Sequence, residues 1–369
     1  MVSRAQMVQW RSLADGVKVS LGEHALRLSD RGLCCSLRQG PQFYRRTLNG
    51  HWFQVDTGRR RLADDEVERL LARVREHCQR LLESLPDDAL REPLERAIHA
   101  DYRADAERYQ QIYPEDVPIL PPDRYRDLVV QPATGCPNRR CHFCAFYRDR
   151  PFALLSEEAF QQQLLAIKGW LGEGVRQRNG VFLGSANALA LSQRRLLGVL
   201  EHTRQLFGQL PRGVASFWDP DFSPSRSANQ WRELQQAGLK RLVVGVETGD
   251  GGLRRELGKG DDTERLTEAL TVASQAGIPL GICILVGAGG EQLSDRHLEN
   301  TLRWITALPL GRQDLVYLSP LQNLDTGQAS PRPLSDWLAA EQASFKRQLT
   351  HYSNAQVTDY RMEDYGYYS

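Results

Sequence analysis

The sequence predicts an α/β protein in which a small basic α+β domain precedes a partial (β/α)6 barrel of the TIM type. Three observations carry that expectation. After Leu128, six short and nearly continuous apolar runs alternate with longer amphipathic runs of helical period, the pattern of parallel strands covered by helices. Six units are fewer than the eight that close a full barrel, so the sheet is expected to stay open. Up to Leu62 the chain instead alternates apolar and polar residues in short stretches with turn residues between them, which belongs to hairpins.

The elements follow in order. Val17, Val19 and Leu21, then Ala25, Leu26 and Leu28, then Leu33 to Leu37 read as strands, and Asn49-Gly50 between Tyr44-Arg45-Arg46-Thr47 and Trp52-Phe53 is a hairpin turn. From Asp64 to Leu85, Val67, Leu70, Leu71, Val74, Cys78 and Leu81 share one helical face. A second charged helix is expected over Pro86 to Gln111, and Pro114, Pro118, Pro121 and Pro122 mark a linker. Barrel strands are expected at Leu128–Ala133, Val181–Gly184, Val214–Phe217, Arg241–Glu247, Leu280–Val286 and Leu315–Leu318, with helices at Glu158–Leu171, Gln193–Phe207, Asn229–Ala237, Glu264–Ala276 and His297–Leu308. A last helix fits Leu334–Leu349, and the Tyr-rich tail, Tyr352 to Ser369, reads as irregular. The domains expected are therefore 1–115, a linker at 116–127, a barrel core at 128–325, and a helix with its tail at 326–369.

Composition narrows the class. Of 369 residues, 41% are hydrophobic and 25% charged, with a net charge of +1, which suits a soluble globular chain and excludes a wholesale polyanion binder. No stretch approaches the roughly 18–20 apolar residues that span a bilayer, and Met1 to Asp15 has no apolar secretory core. Seven cysteines, four of them scattered, make no disulfide framework and suit a reducing cytoplasm with one metal site.

That site is expected in Gly135-Cys136-Pro137-Asn138-Arg139-Arg140-Cys141-His142-Phe143-Cys144, a C-x4-C-x2-C loop after the first barrel strand. Three thiolates on one short loop can hold three irons of a cubane and leave the fourth iron without a protein ligand. Structural zinc would want four ligands, usually in two separated pairs, and the sequence has no second C-x2-C. A redox C-x2-C pair would leave Cys136 unexplained. Cys78 and Cys283 sit in apolar patterns and read as core; the adjacent Cys34 and Cys35 cannot both point inward from one strand.

With these residues the sequence resembles the radical SAM superfamily. Most members carry C-x3-C-x2-C; the longer spacing here, Phe143 before the last cysteine and the run from Tyr147 to Phe152 are similar to oxygen-independent coproporphyrinogen oxidase-like and elongator-type proteins. The companions of the family follow in order at strand ends. Gly184, with Ser185 after it, stands where the family's turn meets the methionyl amino group of S-adenosylmethionine (SAM), although Ser185-Ala186 replaces the usual Gly-Glu. Gly245-Val246-Glu247-Thr248-Gly249 resembles the family's Gly-Val-Glu-Ser-Gly segment, which implies that Glu247 accepts from the ribose hydroxyls or the amino group and that Lys259 reaches the carboxylate. Ile284-Leu285-Val286-Gly287 resembles the segment that packs the adenine, which implies roles for Ile284 and Gly287. A phosphate loop is the rival reading there and lacks its Lys-Ser/Thr. His297 reads as structural or cavity-facing.

The resemblance implies an enzyme that takes an electron from a donor such as flavodoxin or ferredoxin into a [4Fe–4S] cluster and cleaves SAM to a 5′-deoxyadenosyl radical. A 3-amino-3-carboxypropyl radical is the alternative product, and a non-catalytic RNA- or protein-binding module with a structural metal is the rival class. Methylthio transfer lacks its second cysteine trio. Residues 1–62 hold eleven Lys/Arg against four Asp/Glu, interleaved with Phe43, Tyr44, Trp52 and Phe53; such a face could grip RNA, dock an acidic partner or simply be solvated.

Overall fold

The computed structural model describes residues 8–56, 58–84, 88–144, 146–147, 149–184, 186–321, 334–362 and 365–368. Strands β1 (Gln9–Leu13), β2 (Gly16–Leu21), β3 (His24–Ser29), β4 (Cys34–Gln39), β5 (Gln42–Arg46), β6 (Trp52–Gln54) and β7 (Arg60–Arg61) pair in sequence order as an antiparallel meander. The period of two sends Val17, Val19, Leu26, Leu28, Leu37, Tyr44 and Trp52 to one buried face. That face packs on Leu70, Val74, Cys78 and Leu81 of α1 (Asp64–Ser84) and on Leu90, Leu94 and Ala97 of α2 (Asp88–Ile98).

The single helix expected up to Gln111 is in fact two. Asp101 caps α3 (Tyr102–Ile112), its carboxylate accepting from the backbone N–H groups of Arg103 and Ala104, so the chain breaks and restarts at an N-cap. The break lets α3 turn its apolar side elsewhere: Tyr109, Ile112 and the following Tyr113 join the barrel core. Asp105 of α3 is the pin between the two halves. It accepts from Arg31, from Arg46 at 2.7 Å and from the Trp170 indole at 2.7 Å, and Arg46 is only 1% exposed.

The barrel runs β8 (Leu128–Val130), the small pair β9 (Ala133–Thr134) and β10 (Ala153–Leu154), α4 (Glu157–Leu171), β11 (Val181–Leu183), α5 (Gln193–Phe207), β12 (Val214–Trp218), α6 (Ala228–Gln236), β13 (Leu239–Glu247), α7 (Gly251–Glu256), α8 (Thr263–Gln275), β14 (Leu280–Val286), α9 (Ser294–Thr306), β15 (Leu315–Pro320), α10 (Asp336–Tyr352) and β16 (Gln356–Asp359). Its sheet is parallel throughout, in the order β8-β11-β12-β13-β14-β15-β16. All six expected strands are present. The seventh, β16, lies in the tail read as irregular; Gln356-Val357-Thr358-Asp359 is a half-buried edge strand without an apolar run, so periodicity could not reveal it.

β8 and β16 are the two edges of this open sheet. On the free side of β8, the Val129 N–H donates to the Tyr367 hydroxyl at 2.8 Å and the Val129 carbonyl accepts from the Tyr113 hydroxyl at 3.0 Å. The tail beyond β16 adds Tyr360, donating to the Leu120 carbonyl at 2.9 Å, and Tyr365, donating to the Val117 carbonyl at 3.2 Å.

The front domain seats on the amino ends of β8 and β11, where Arg27 donates to Gln177 and the Leu48 N–H donates to the Tyr367 carbonyl. Its basic and aromatic residues are largely used within the chain. Tyr44 and Trp52 are buried, Arg38 lies 4.7 Å over Phe43, Arg59 lies 3.5 Å over Phe53, and Arg60 pairs with Glu66. Among the described residues no helix is long and apolar enough to cross a membrane.

Candidate active site

The carboxyl ends of the parallel strands converge on a cavity of about 190 Å³ that is mostly apolar and includes Cys136, Cys141, Phe143, Cys144, Glu247 and Lys259 in its wall. This is the end at which parallel α/β sheets place their chemistry, because loops from every strand meet there. All six of these residues were expected ligands or cofactor contacts, Phe143 among them.

The cysteine loop is held by a neighbouring turn. The His142 N–H donates to the Leu257 carbonyl at 3.2 Å, and the Asn138 amide donates to the Gly258 carbonyl at 3.0 Å and to the Cys141 sulfur at 3.1 Å. Gly258 has φ +82° and a side chain there would strike the Arg140 carbonyl, so only glycine lets the two loops close to this distance. Asn138, 4% exposed, is a site residue that the cysteine spacing did not single out.

The donor set suits an iron–sulfur cubane. Burial pushes the Cys136 thiol up to about 11 and the Cys141 thiol up to about 12, so thiolates here at neutral pH need cations against them, which iron supplies. Among the described residues no three His, Cys, Asp or Glu side chains are grouped around one ion. A cubane asks for something else, each thiolate meeting its own iron at a separate corner.

Opposite the cysteines lies a buried charge cluster. Lys259 Nζ stands 3.1 Å from Asp219 and 3.8 Å from Glu247. Burial disfavours its ammonium, but Asp219 and Glu247 outweigh that and hold it charged. Burial raises the Glu247 carboxyl against the pull of Lys259 and Arg254. Glu247 is the one non-glycine with positive φ, +68°, among the described residues, at a bulge in the β13–β14 register. Arg254 fixes this bend, donating to the Val246 carbonyl, to the Gly260 carbonyl at 2.7 Å and to Asp221 at 3.1 Å. Asp219 follows β12, where the sequence offered an unremarkable Trp-Asp-Pro turn. Trp218, also in the cavity wall, has a buried indole N–H without an acceptor among the described residues.

Strand alternation corrects part of the expected set. Cys283 and Leu285 of β14 face the cavity; Ile284, one residue out of phase, is buried on the helix side. Cys283, read as plain core, therefore lines the site. Gly287 sits beneath α10, its N–H donated to Glu341, and a side chain there would strike Leu338. Gly184 is not in the cavity wall, though Ala186 is; its N–H goes to the Val130 carbonyl at 2.8 Å, and a side chain would press on Gln131 and Val129. Ser185 lies outside the described residues. His297 is fully buried and structural. Burial lowers it to about 4, so the imidazole is neutral: Nε2–H donates to the Leu285 carbonyl at 3.1 Å and Nδ1 accepts from Thr248 Oγ1 at 2.8 Å.

Residues 130–305 match the model of the Radical SAM superfamily. No curated protein matches the chain. Among solved structures, the chain is similar to coproporphyrinogen III oxidase (HemN) from Escherichia coli, a radical SAM enzyme, at 17% identity and TM-score 0.45, covering 66% of this chain and 55% of that one. Methylornithine synthase (PylB) is similar at 17% identity and TM-score 0.41, covering 79% of this chain and 85% of that one. The cobalamin-dependent S-adenosylmethionine radical enzyme OxsB is similar at 19% identity and TM-score 0.41 over 63% of this chain; the chain spans 32% of its length.

Proposed function

Because residues 130–305 place this chain in the radical SAM superfamily, whose enzymes use a [4Fe–4S] cluster and SAM, we propose that Cys136, Cys141 and Cys144 hold that cluster and that the cavity beside them binds SAM for reductive cleavage. The single observation that carries this reading is that the three thiols and the Lys259–Glu247–Asp219 cluster face one cavity at the carboxyl ends of the strands. When bound, the reduced cluster supplies the electron that splits a sulfonium C–S bond of SAM into methionine and a 5′-deoxyadenosyl radical.

The chain's own residues do the rest. Lys259, kept charged by two carboxylates, offers a point charge to the SAM carboxylate. Glu247 offers acceptor oxygens to the ribose hydroxyls or the amino group. Phe143, Phe146, Tyr147, Leu285 and Tyr360 line the space with apolar surface and shield the site from solvent. Outside, Cys141 and Lys259 also border a groove of about 890 Å³ whose wall holds Arg139, Arg140, Arg255 and Arg265 against Asp221, Asp261 and Asp262, a basic excess that suits an acidic one-electron donor such as flavodoxin or ferredoxin.

Anaerobic reconstitution should load about four irons per chain, and dithionite with SAM should release 5′-deoxyadenosine. Replacing Cys136, Cys141 and Cys144 together with Ala should abolish the EPR signal of the reduced cluster. Release of 5′-methylthioadenosine would shift the reading to 3-amino-3-carboxypropyl chemistry. Neither product from a loaded protein would favour a binding module, and a triple variant that keeps its cluster would overturn the ligand assignment.

A further inference from the structure

At the opposite end of the barrel, where the front sheet meets the amino ends of β8 and β11, lies a crevice of about 400 Å³. Arginines from both bodies converge on it: Arg27, Arg31 and Arg45 from the sheet, Arg126 and Arg178 from the loops that precede β8 and β11. Two of these are committed. Arg27 pairs with Asp15 and Arg31 pairs with Asp105.

The other three have no carboxylate partner among the described residues. Arg45 makes a cation–π contact, 3.7 Å over the Tyr368 ring, and its guanidinium has no hydrogen bond among the described residues. Arg178 donates to the Tyr368 carbonyl at 3.3 Å while its Nε is buried without an acceptor. Among the described residues Arg126 donates to the Gln177 carbonyl alone, at 3.2 Å. The charges feel one another: burial first, then Arg27 and Arg126, lowers the proton affinity of Arg45. Asp30 is the carboxylate in this wall that has no arginine partner among the described residues. Converging guanidiniums that repel one another while their donors go unused are the arrangement an oxyanion satisfies, because the planar fork matches phosphate oxygens in pairs.

We propose that this crevice is an anion site, separate from the SAM cavity, that takes a small phosphate-bearing molecule between Arg45, Arg126 and Arg178. Its size suits a phosphate or pyrophosphate carrying a small organic body. Since Arg45 belongs to the sheet while Arg126 and Arg178 belong to the barrel, the ligand bridges the two and locks their seam. The site lies at the far end of the strands from the cysteine loop, so it controls the seam rather than the chemistry. The inference is independent of the radical SAM reading.

The test uses the full chain, with inorganic pyrophosphate as the probe in isothermal titration calorimetry and citrate and sodium chloride at matched ionic strength as comparisons. Saturable binding of pyrophosphate near one per chain is expected, with each of Arg45→Gln and Arg178→Gln weakening it about tenfold. Arg204→Gln, which alters an exposed arginine of α5, should leave it unchanged. Should either crevice variant fail to fold, exposed Arg126→Gln carries the same expectation. Pyrophosphate should also slow backbone hydrogen exchange over residues 171–178. Absence of saturable binding, equal loss in Arg204→Gln, or tighter binding of citrate than of pyrophosphate overturns the proposal.

Discussion

The Asn138 side-chain amide lies 3.1 Å from the Cys141 sulfur and donates to it. Hydrogen bonds to a ligating thiolate favour the more electron-rich form of an iron–sulfur centre. Asn138→Ala should therefore make the cluster harder to reduce. Loss of one such bond, about 1 kcal/mol, corresponds to roughly 40 mV for a one-electron couple. An EPR-monitored potentiometric titration reads this shift, and a potential unmoved or raised would count against the assigned contact.

Glu247 sits at φ +68°, a conformation that favours glycine over other residues by about 1–2 kcal/mol. Both Glu247→Ala and Glu247→Gly remove the carboxylate, and both should lose SAM retention in equilibrium dialysis. Only the glycine variant relieves the backbone. Glu247→Gly should accordingly be about 1 kcal/mol more stable than Glu247→Ala in urea unfolding. Equal stabilities would mean that the bend carries no strain.

Asp105 holds a buried arginine, a half-exposed one and an indole at once. Asp105→Ala removes the carboxylate that meets the buried Arg46 guanidinium, and should destabilise the chain by about 3–5 kcal/mol. Asp105→Asn keeps an acceptor and should lose less. Chemical denaturation of the two variants side by side checks the order.

Asp127 is fully buried, and burial, outweighing Arg124, raises its carboxyl to about 6. A carboxyl raised on folding contributes stability that is complete below its unfolded value near 3.8 and is lost as pH rises through about 6. The difference amounts to about 3 kcal/mol. The stability gap between Asp127→Asn and the parent chain should move in favour of the variant by that order between pH 4 and pH 7.5, measured by urea midpoints. A gap independent of pH would show that Asp127 stays ionised.

What could be read in advance depended on whether a feature left a mark along the chain. The parallel strands did, because each is buried on both faces; Leu280–Val286 is apolar at every step but its glycine and was delimited to the residue. The cysteine loop did too, since its three thiols are neighbours in sequence. Side-chain phase within β14 was missed although alternation contains it: once Cys283 faces the cavity, Ile284 must not. Asp219 was invisible because its importance comes from Lys259, 40 residues later. The break between α2 and α3 was legible in Asp101 as an N-cap, but the unbroken charge pattern concealed it. β16 gave no signal, being a polar strand defined by the partner it pairs with.

The phenols on β8 bear on how the molecule keeps to itself. A sheet that stops short of closing leaves two rows of peptide groups open to any passing strand, the usual start of edge-to-edge aggregation. At β8 the donor and the acceptor of Val129 are both taken by tyrosine hydroxyls, one from beyond α3 and one from beyond β16. A hydroxyl satisfies a peptide group without offering a second row in return, so the pairing ends there. The tyrosine-rich tail thus serves colloidal behaviour as well as stability: a nascent chain displays an adhesive edge until the segment beyond β16 arrives to blunt it.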